Sequence, residues 1–129
     1  MKDIKVLLVD DEVGFTTSLS RILTRRGFNV EVSSDGLTGL ARIIQGNFDV
    51  VVLDVKMPGM NGIQVLSEIR RLSLPTRVIL LTGHFSLPDE ENTIKSGAFA
   101  YLLKPYPVLK LVELIENAAA REMSAEIEL

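Results

Sequence analysis

Asp10 and Asp11 follow the apolar run Ile4 to Val9, and Asp54 follows Val50 to Leu53. Runs of this kind read as buried strands, so three carboxylates are carried to strand ends, where water is scarce. Like charges gathered there repel one another and are costly to desolvate unless a cation joins them. Hard oxygen donors suit Mg²⁺ with several retained waters, and a chain without cysteine has no thiolate to offer a softer metal. Thr82 closes a further apolar run with a hydroxyl, and Lys104 follows another with an ammonium group. A metal, a lysine and a hydroxyl can together hold the three oxygens of a phosphoryl group bonded to a carboxylate, with Asp54 the natural acceptor.

The elements that must position these groups alternate along the chain. Short continuous apolar runs at Val6 to Val9, Val50 to Leu53, Val78 to Leu81 and Tyr101 to Leu103 predict strands buried on both faces. From Phe28 to Val32 the pattern is half polar, which suits a strand at the sheet edge. Helical stripes fall at Phe15, Leu19, Ile22 and Leu23, at Leu37, Leu40, Ala41 and Ile44, at Ile63, Leu66, Ile69 and Leu72, and at Val108, Leu111, Val112 and Ile115. Gly27 stops the first helix, Ser34 or Asp35 can cap the second, and Gly46 with Asn47 ends it. Between Ser86 and Ser96 only Leu87 and Ile94 are large and apolar, so the fourth helix has a well-specified start and a poor grip on the sheet. Five strands and five helices with right-handed crossovers predict an α/β, doubly wound (βα)5 sandwich. Its ligand site lies outside the carboxyl ends of the strands, where Asp10, Asp11, Asp54 and Thr82 fall.

The motifs Val9-Asp10-Asp11-Glu12, Leu53-Asp54-Val55-Lys56-Met57-Pro58-Gly59-Met60-Asn61-Gly62, Leu81-Thr82-Gly83 and Lys104-Pro105 are jointly specific. In them the chain resembles a response-regulator receiver domain of two-component signalling, of chemotaxis-receiver-like fold, from residue 4 to about residue 120. The resemblance implies a five-stranded parallel sheet in 2-1-3-4-5 order with helices on both faces. It implies phosphorylation of Asp54 by a sensor histidine kinase, a phosphotransfer protein or a small phosphodonor. Mg²⁺ would be bound directly by Asp11, Asp54 and the backbone carbonyl of Lys56, with Asp10 acting mainly through water. Lys104 and Thr82 would contact the phosphoryl group, and the Lys104-Pro105 bond would be cis. Thr82 and Tyr101 match the family's switch pair. The output face would be the fourth helix, the fifth strand and the fifth helix, where Leu109 and Leu114 are available for a homodimer or a partner. Lys56 and His84 stand where relatives tune phosphoryl lifetime.

Each of these residues has a plainer reading when taken singly. An Asp-Asp pair is usually a solvated turn, Lys104-Pro105 a surface lysine before a turn, His84 an exposed loop side chain, and Leu109 and Leu114 ordinary surface leucines. It is the placement of the acids, Thr82 and Lys104 at matching strand ends that favours a site. A phosphohydrolase using an aspartyl phosphate is disfavoured, because such enzymes carry Asp-x-Asp after the first strand where this chain has Asp10-Asp11-Glu12. A nucleotide or flavin module is disfavoured because the first strand-to-helix turn, Asp10 to Gly14, has acids where phosphates need amides.

At 129 residues the chain is one domain by length, with residues 1–121 as the receiver and 122–129 as a tail or helix extension. A net charge of −3, with the arginines in separated pairs, argues against direct nucleic-acid binding. No apolar run reaches membrane-span length and no signal peptide precedes Lys5, so a cytoplasmic, membrane-free protein is expected. The only chemistry expected is gaining and losing a phosphoryl group. Output passes to a downstream protein if the chain stands alone, or to a fused output domain if it belongs to a longer one.

Overall fold

The structure is a computed structural model describing residues 3–83 and 97–128, with the side chains of the last helix described through Ala120. The strands are β1 (Lys5–Val9), β2 (Asn29–Ser33), β3 (Val50–Asp54), β4 (Arg77–Thr82) and β5 (Ala100–Leu103). The helices are α1 (Val13–Arg25), α2 (Gly36–Gln45), α3 (Gly62–Arg71) and α4 (Val108–Glu128). The helix expected between Ser86 and Ser96, and His84, lie outside the described residues; α4 is therefore the fifth of the expected helices. Among the described residues no helix is long and apolar enough to cross a membrane.

All strand pairs are parallel and the order is β2-β1-β3-β4-β5, the order implied by the family resemblance. The half-polar β2 is at an edge. The apolar runs divide by parity, because successive side chains on a strand point to opposite faces. Val6, Leu8, Val50, Val52, Ile79, Leu81 and Leu102 pack under α1 and α4, while Leu7, Val9, Val51, Leu53, Val78 and Leu80 pack under α2 and α3. Two apolar layers thus enclose a sheet whose central strands are almost wholly dry, and β1, β3 and β4 deliver their last residues to one end.

The buried stripe of α2 corrects the sequence expectation. It consists of Gly36, Gly39, Leu40 and Ile43, whereas Leu37 and Ile44 are 68% and 51% exposed and Ala41 is exposed. The cause is close approach at the glycines. A Cβ on Gly39 would lie 3.0 Å from both methyls of Val9, and one on Gly36 would lie 2.2 Å from the Met60 carbonyl oxygen. Seating the helix on its glycines rotates the larger apolar residues outward. Ile22 of α1 and Leu72 after α3, both assigned to buried stripes, are likewise partly exposed at 36% and 39%.

Asp35 caps α2 by accepting hydrogen bonds from Thr38 N at 2.7 Å and Thr38 Oγ1 at 3.0 Å, which lower its pKa. Asn61 and Gln64 form a reciprocal capping box at the start of α3. That box fixes where the loop from β3 must end.

Candidate functional site

β1 hands directly from the core to Asp10, whose backbone N–H donates to the Ser33 carbonyl at 3.1 Å and keeps the chain in sheet register. The Asp10 side chain is buried, and its Oδ1 accepts from Glu12 N at 3.0 Å at the entry to α1. Asp11, one residue on, is exposed. Asp54 is the last residue of β3 and is only 6% exposed. One carboxylate oxygen from each of Asp10, Asp11 and Asp54 lies within 4.8 Å of the others.

Lys104 reaches this cluster from the end of β5. Its backbone N–H donates to the Thr82 carbonyl at 2.8 Å, which ties the two strand ends together. Its ammonium is 3.4 Å from Asp10 Oδ2 and 3.4 Å from Asp54 Oδ1. The face of the Phe15 ring lies beneath it, 5.1 Å from Nζ to the centroid. Thr82 is buried at the end of β4. Tyr101 is half-buried on β5 against the α2/α3 apolar layer, opposite Leu80 in register. The Lys104-Pro105 peptide is cis.

Titration behaviour shows how the charges balance. The Asp54 carboxyl is pushed up to about 6, first by burial and then by repulsion from Asp10, with Lys104 pulling it down and Asp11 adding a little more repulsion. For Lys104 burial is the largest single influence and acts to lower the pKa. Attraction and hydrogen bonds from Asp10 and Asp54 together outweigh it and raise the pKa. Both partners of one ion pair are therefore raised, which is the signature of an ammonium surrounded by too much negative charge. Three carboxylates are gathered beside one ammonium, and a donor set of hard oxygens with this charge fits a divalent cation.

The loop from Val55 to Asn61 frames the other side. Met57 is buried in the α2/α3 layer and anchors it, while Lys56 is exposed between Val55 and that anchor. Gly62 N donates to the Val55 carbonyl at 3.1 Å, and a Cβ at Gly62 would lie 2.4 Å from the Asp54 carbonyl oxygen. Backbone cannot yield to a methyl group there. Gly62→Ala is expected to cost about 2–3 kcal/mol in urea unfolding by overpacking, and to displace the strand end that carries the acceptor. Gly83, by contrast, has open space around its Cβ direction.

The sequence expectation brought together Asp10, Asp11, Asp54 and Lys104, and these four are adjacent. It gave no role to Phe15 or to the Glu12 amide, and it held Gly62 only as the end of the acceptor motif. A phenylalanine one turn into α1 carries no signal until the ends of β1 and β5 are side by side. Leu109 is 61% exposed on α4, and Leu114 is partly buried against the α1/α4 layer.

A family profile described as response regulator receiver domain matches residues 6–116. The chain belongs to the response-regulator receiver family. This receiver domain is 36% identical over 126 residues to the transcriptional regulatory protein ZraR of Salmonella typhimurium, covering 96% of this chain and 29% of that protein. It is 37% identical over 118 residues to the transcriptional regulatory protein TcrA of Mycobacterium tuberculosis, covering 92% of this chain and 47% of that one. The receiver thus spans between about a third and a half of the length of these relatives. Among solved structures, a CheY-like receiver domain protein of Methanospirillum hungatei superposes with a TM-score of 0.90 at 29% identity, covering 96% of this chain and 99% of the other. A receiver domain protein from Clostridium thermocellum gives a TM-score of 0.88 at 34% identity, covering 95% and 98%.

Proposed function

We propose that this receiver domain is a phosphorylation-operated switch in which Asp54 accepts a phosphoryl group from a sensor histidine kinase, a phosphotransfer protein or a small phosphodonor. The observation that carries this reading is the cluster itself: a buried carboxylate at a strand end, crowded by two others and touched by one ammonium. Its donors are all hard oxygens, which fit Mg²⁺. Asp11, Asp54 and the Lys56 carbonyl would hold the ion directly and Asp10 through water. Bound there, Mg²⁺ would supply the charge that keeps Asp54 ionised and neutralises the transferring oxygens.

In the transfer a carboxylate oxygen of Asp54 attacks the donor phosphorus, an O–P bond forms, and the donor's P–N or P–O bond breaks with its electron pair leaving on the donor. Lys104 follows the new negative charge, and the Thr82 hydroxyl donates to another phosphoryl oxygen. The movement of Thr82 is coupled to Tyr101, which turns inward and alters the face made by the 86–96 segment, β5 and α4. That face is the output surface, for a downstream protein, a fused output domain or a second receiver. The domain proper is residues 1–121, with 122–129 a C-terminal tail or helix extension. It acts in the cytoplasm without direct contact with nucleic acid or membrane. If the receiver belongs to a longer protein, the names of its relatives favour transcription control as the output.

Intact mass after incubation with Mg²⁺ and acetyl phosphate tests the reading. An adduct of about 80 Da, Mg²⁺-dependent, labile to hydroxylamine and absent from Asp54→Ala, is the expected result for an acyl phosphate on a carboxylate nucleophile. No adduct, together with no Mg²⁺-dependent binding of beryllofluoride, would leave a docking domain without a switch.

A further inference from the structure

At the end of the sheet away from the acid cluster, where β4 and β5 begin, there is a cleft of about 230 Å³. Its apolar walls come from both layers, Leu66, Ile69 and Val78 from one and Phe99 from the other, so it lies across the sheet end. Arg70, Thr76 and Arg77 join the lining. Two polar atoms there lack what burial normally demands. Arg77 Nε and Thr76 Oγ1 are shut off from solvent, and neither meets a hydrogen-bond partner among the described residues. A buried donor left unpaired is costly, and one on a charged group more so.

Arg70 brings a second guanidinium. It lies so close over Gly97, another residue of the cleft, that a Cβ on that glycine would overlap Nη1. Among the described residues neither arginine has a carboxylate partner. Glu68 is taken by Arg71 at 2.8 Å. Asp49 Oδ2 accepts from Lys5 N at 2.8 Å, and only the Asp49 carbonyl serves Arg77, accepting from its backbone N at 3.0 Å. The last turn of α3 gives a reason for a basic residue at position 70, which complements the negative end of the helix dipole. It gives none for the buried Arg77 Nε or the Thr76 hydroxyl. Nor are the carbonyls of that helix end left bare toward an anion: those of Ile69 and Arg70 accept from Leu74 N at 3.0 Å and Ser73 N at 3.1 Å.

We infer that this cleft is a binding site for a small organic anion, its phosphate or carboxylate head held by Arg70, Arg77 and the Thr76 hydroxyl and its apolar body resting on Leu66, Ile69 and Phe99. Guanidinium groups offer oxyanions paired N–H donors, and such charge-assisted bonds are the strong ones. A cavity of roughly 150 Å³ takes a benzene ring, so this one has room for a ring and its head group. The site stands at the other end of the strands from Asp54 and does not depend on the phosphoacceptor reading.

The test titrates phenyl phosphate into the nitrogen-15-labelled protein at constant ionic strength and follows the arginine Nε–H resonances. EDTA keeps Mg²⁺ from the three-carboxylate cluster, which alone repels anions. Arg70→Met and Arg77→Met assign two of the resonances by their loss. Both are expected to move saturably in the parent. Read from the backbone amides of Thr76 and Phe99, binding to either variant should be weaker by roughly tenfold or more, the loss expected for one charged hydrogen bond. Benzoate in the same titration separates the two head groups, the tighter ligand naming the class. Inorganic phosphate should bind roughly tenfold more weakly than phenyl phosphate, having nothing for the apolar walls. No saturable movement with either aromatic anion, or binding that survives both substitutions, would overturn the inference. Inorganic phosphate binding as tightly as phenyl phosphate would overturn an organic ligand.

Thermal melts separate a ligand-binding arginine from a structural one. Without ligand, Arg77→Met keeps an unbranched stem and removes an unpaired buried donor, so it should melt no lower than the parent. At ten times its dissociation constant the tighter aromatic anion should raise the melting temperature of the parent by about 5 °C and leave that of the variant unmoved. A variant melting several degrees below the parent without ligand would make Arg77 a packing residue and overturn its place in the site.

Discussion

Lys104→Ala is expected to lower the stability of the metal-free protein at pH 8 by about 2–3 kcal/mol and to cut phosphorylation by acetyl phosphate at least 100-fold. Removing one partner of a buried ion pair costs about 3–5 kcal/mol when the other is left unpaired. The Lys104 side chain is 24% exposed, which places the effect at or below the low end. Two consequences of the geometry shape the result. Asp10 and Asp54 each lose an ammonium at 3.4 Å, and Asp54, already pushed up to about 6, loses the neighbour that was holding it down. In the variant Asp54 takes up a proton more readily, and a protonated carboxyl is a poor nucleophile and a poor metal ligand. The stability loss should therefore shrink at pH 5, where the proton is gained at little cost. Mg²⁺ at pH 8 should restore much of it by replacing the missing charge. Urea melts at pH 5 and 8, with and without Mg²⁺, read all four cases. A variant as stable as the parent at pH 8 in EDTA would mean that the cluster does not depend on Lys104 for charge balance.

The parts of this receiver domain legible in its sequence are those governed by local pattern. Strand parity in Val6 to Val9 and Val50 to Leu53 set the two apolar layers, because parallel strands buried on both faces leave no polar position. The strand-end acids and Lys104 were visible for the same reason: charged residues directly after such runs are conspicuous. What escaped depends on how elements approach one another. Leu37 and Ile44 looked like the buried side of α2, yet Gly36 and Gly39 let the backbone come so near Met60 and Val9 that the helix rolled toward its glycines. Helical spacing alone cannot rank a glycine above a leucine as a contact point. The different fates of adjacent Asp10 and Asp11, one buried and one exposed, depend on where β1 ends and the turn to α1 begins. The Phe15 ring under Lys104 joins residues far apart in the chain, and only the completed sheet makes them neighbours.

Asp54 should weaken the metal-free protein progressively as pH rises, and Asp54→Asn should remove that dependence. Its folded pKa of about 6 lies above the model carboxyl value of 3.8, so between these two values the folded state binds more protons than the unfolded one. Stability must therefore fall as pH rises through that window, opposite in sign to an ordinary salt-bridged aspartate. Below pH 3.8 the penalty vanishes, and above pH 6 it is complete. At about 1.4 kcal/mol per pKa unit it reaches about 3 kcal/mol. Asp54 is only 6% exposed, so solvent screens little of this. Asn keeps the shape and drops the charge, leaving Lys104 paired with Asp10. At pH 7.5 in EDTA the variant is expected to melt roughly 6–10 °C above the parent, and the gap should close toward pH 4. Mg²⁺ should narrow it from the other side, because the ion favours the ionised parent and finds fewer charges in the variant. Paired thermal melts across pH, with EDTA and with Mg²⁺, decide the matter. An advantage for Asp54→Asn that stayed constant from pH 4 to 7.5 would point to packing. One that grew with pH and shrank with Mg²⁺ would show that the acceptor is held, at rest, in a site built for more positive charge than the chain itself provides.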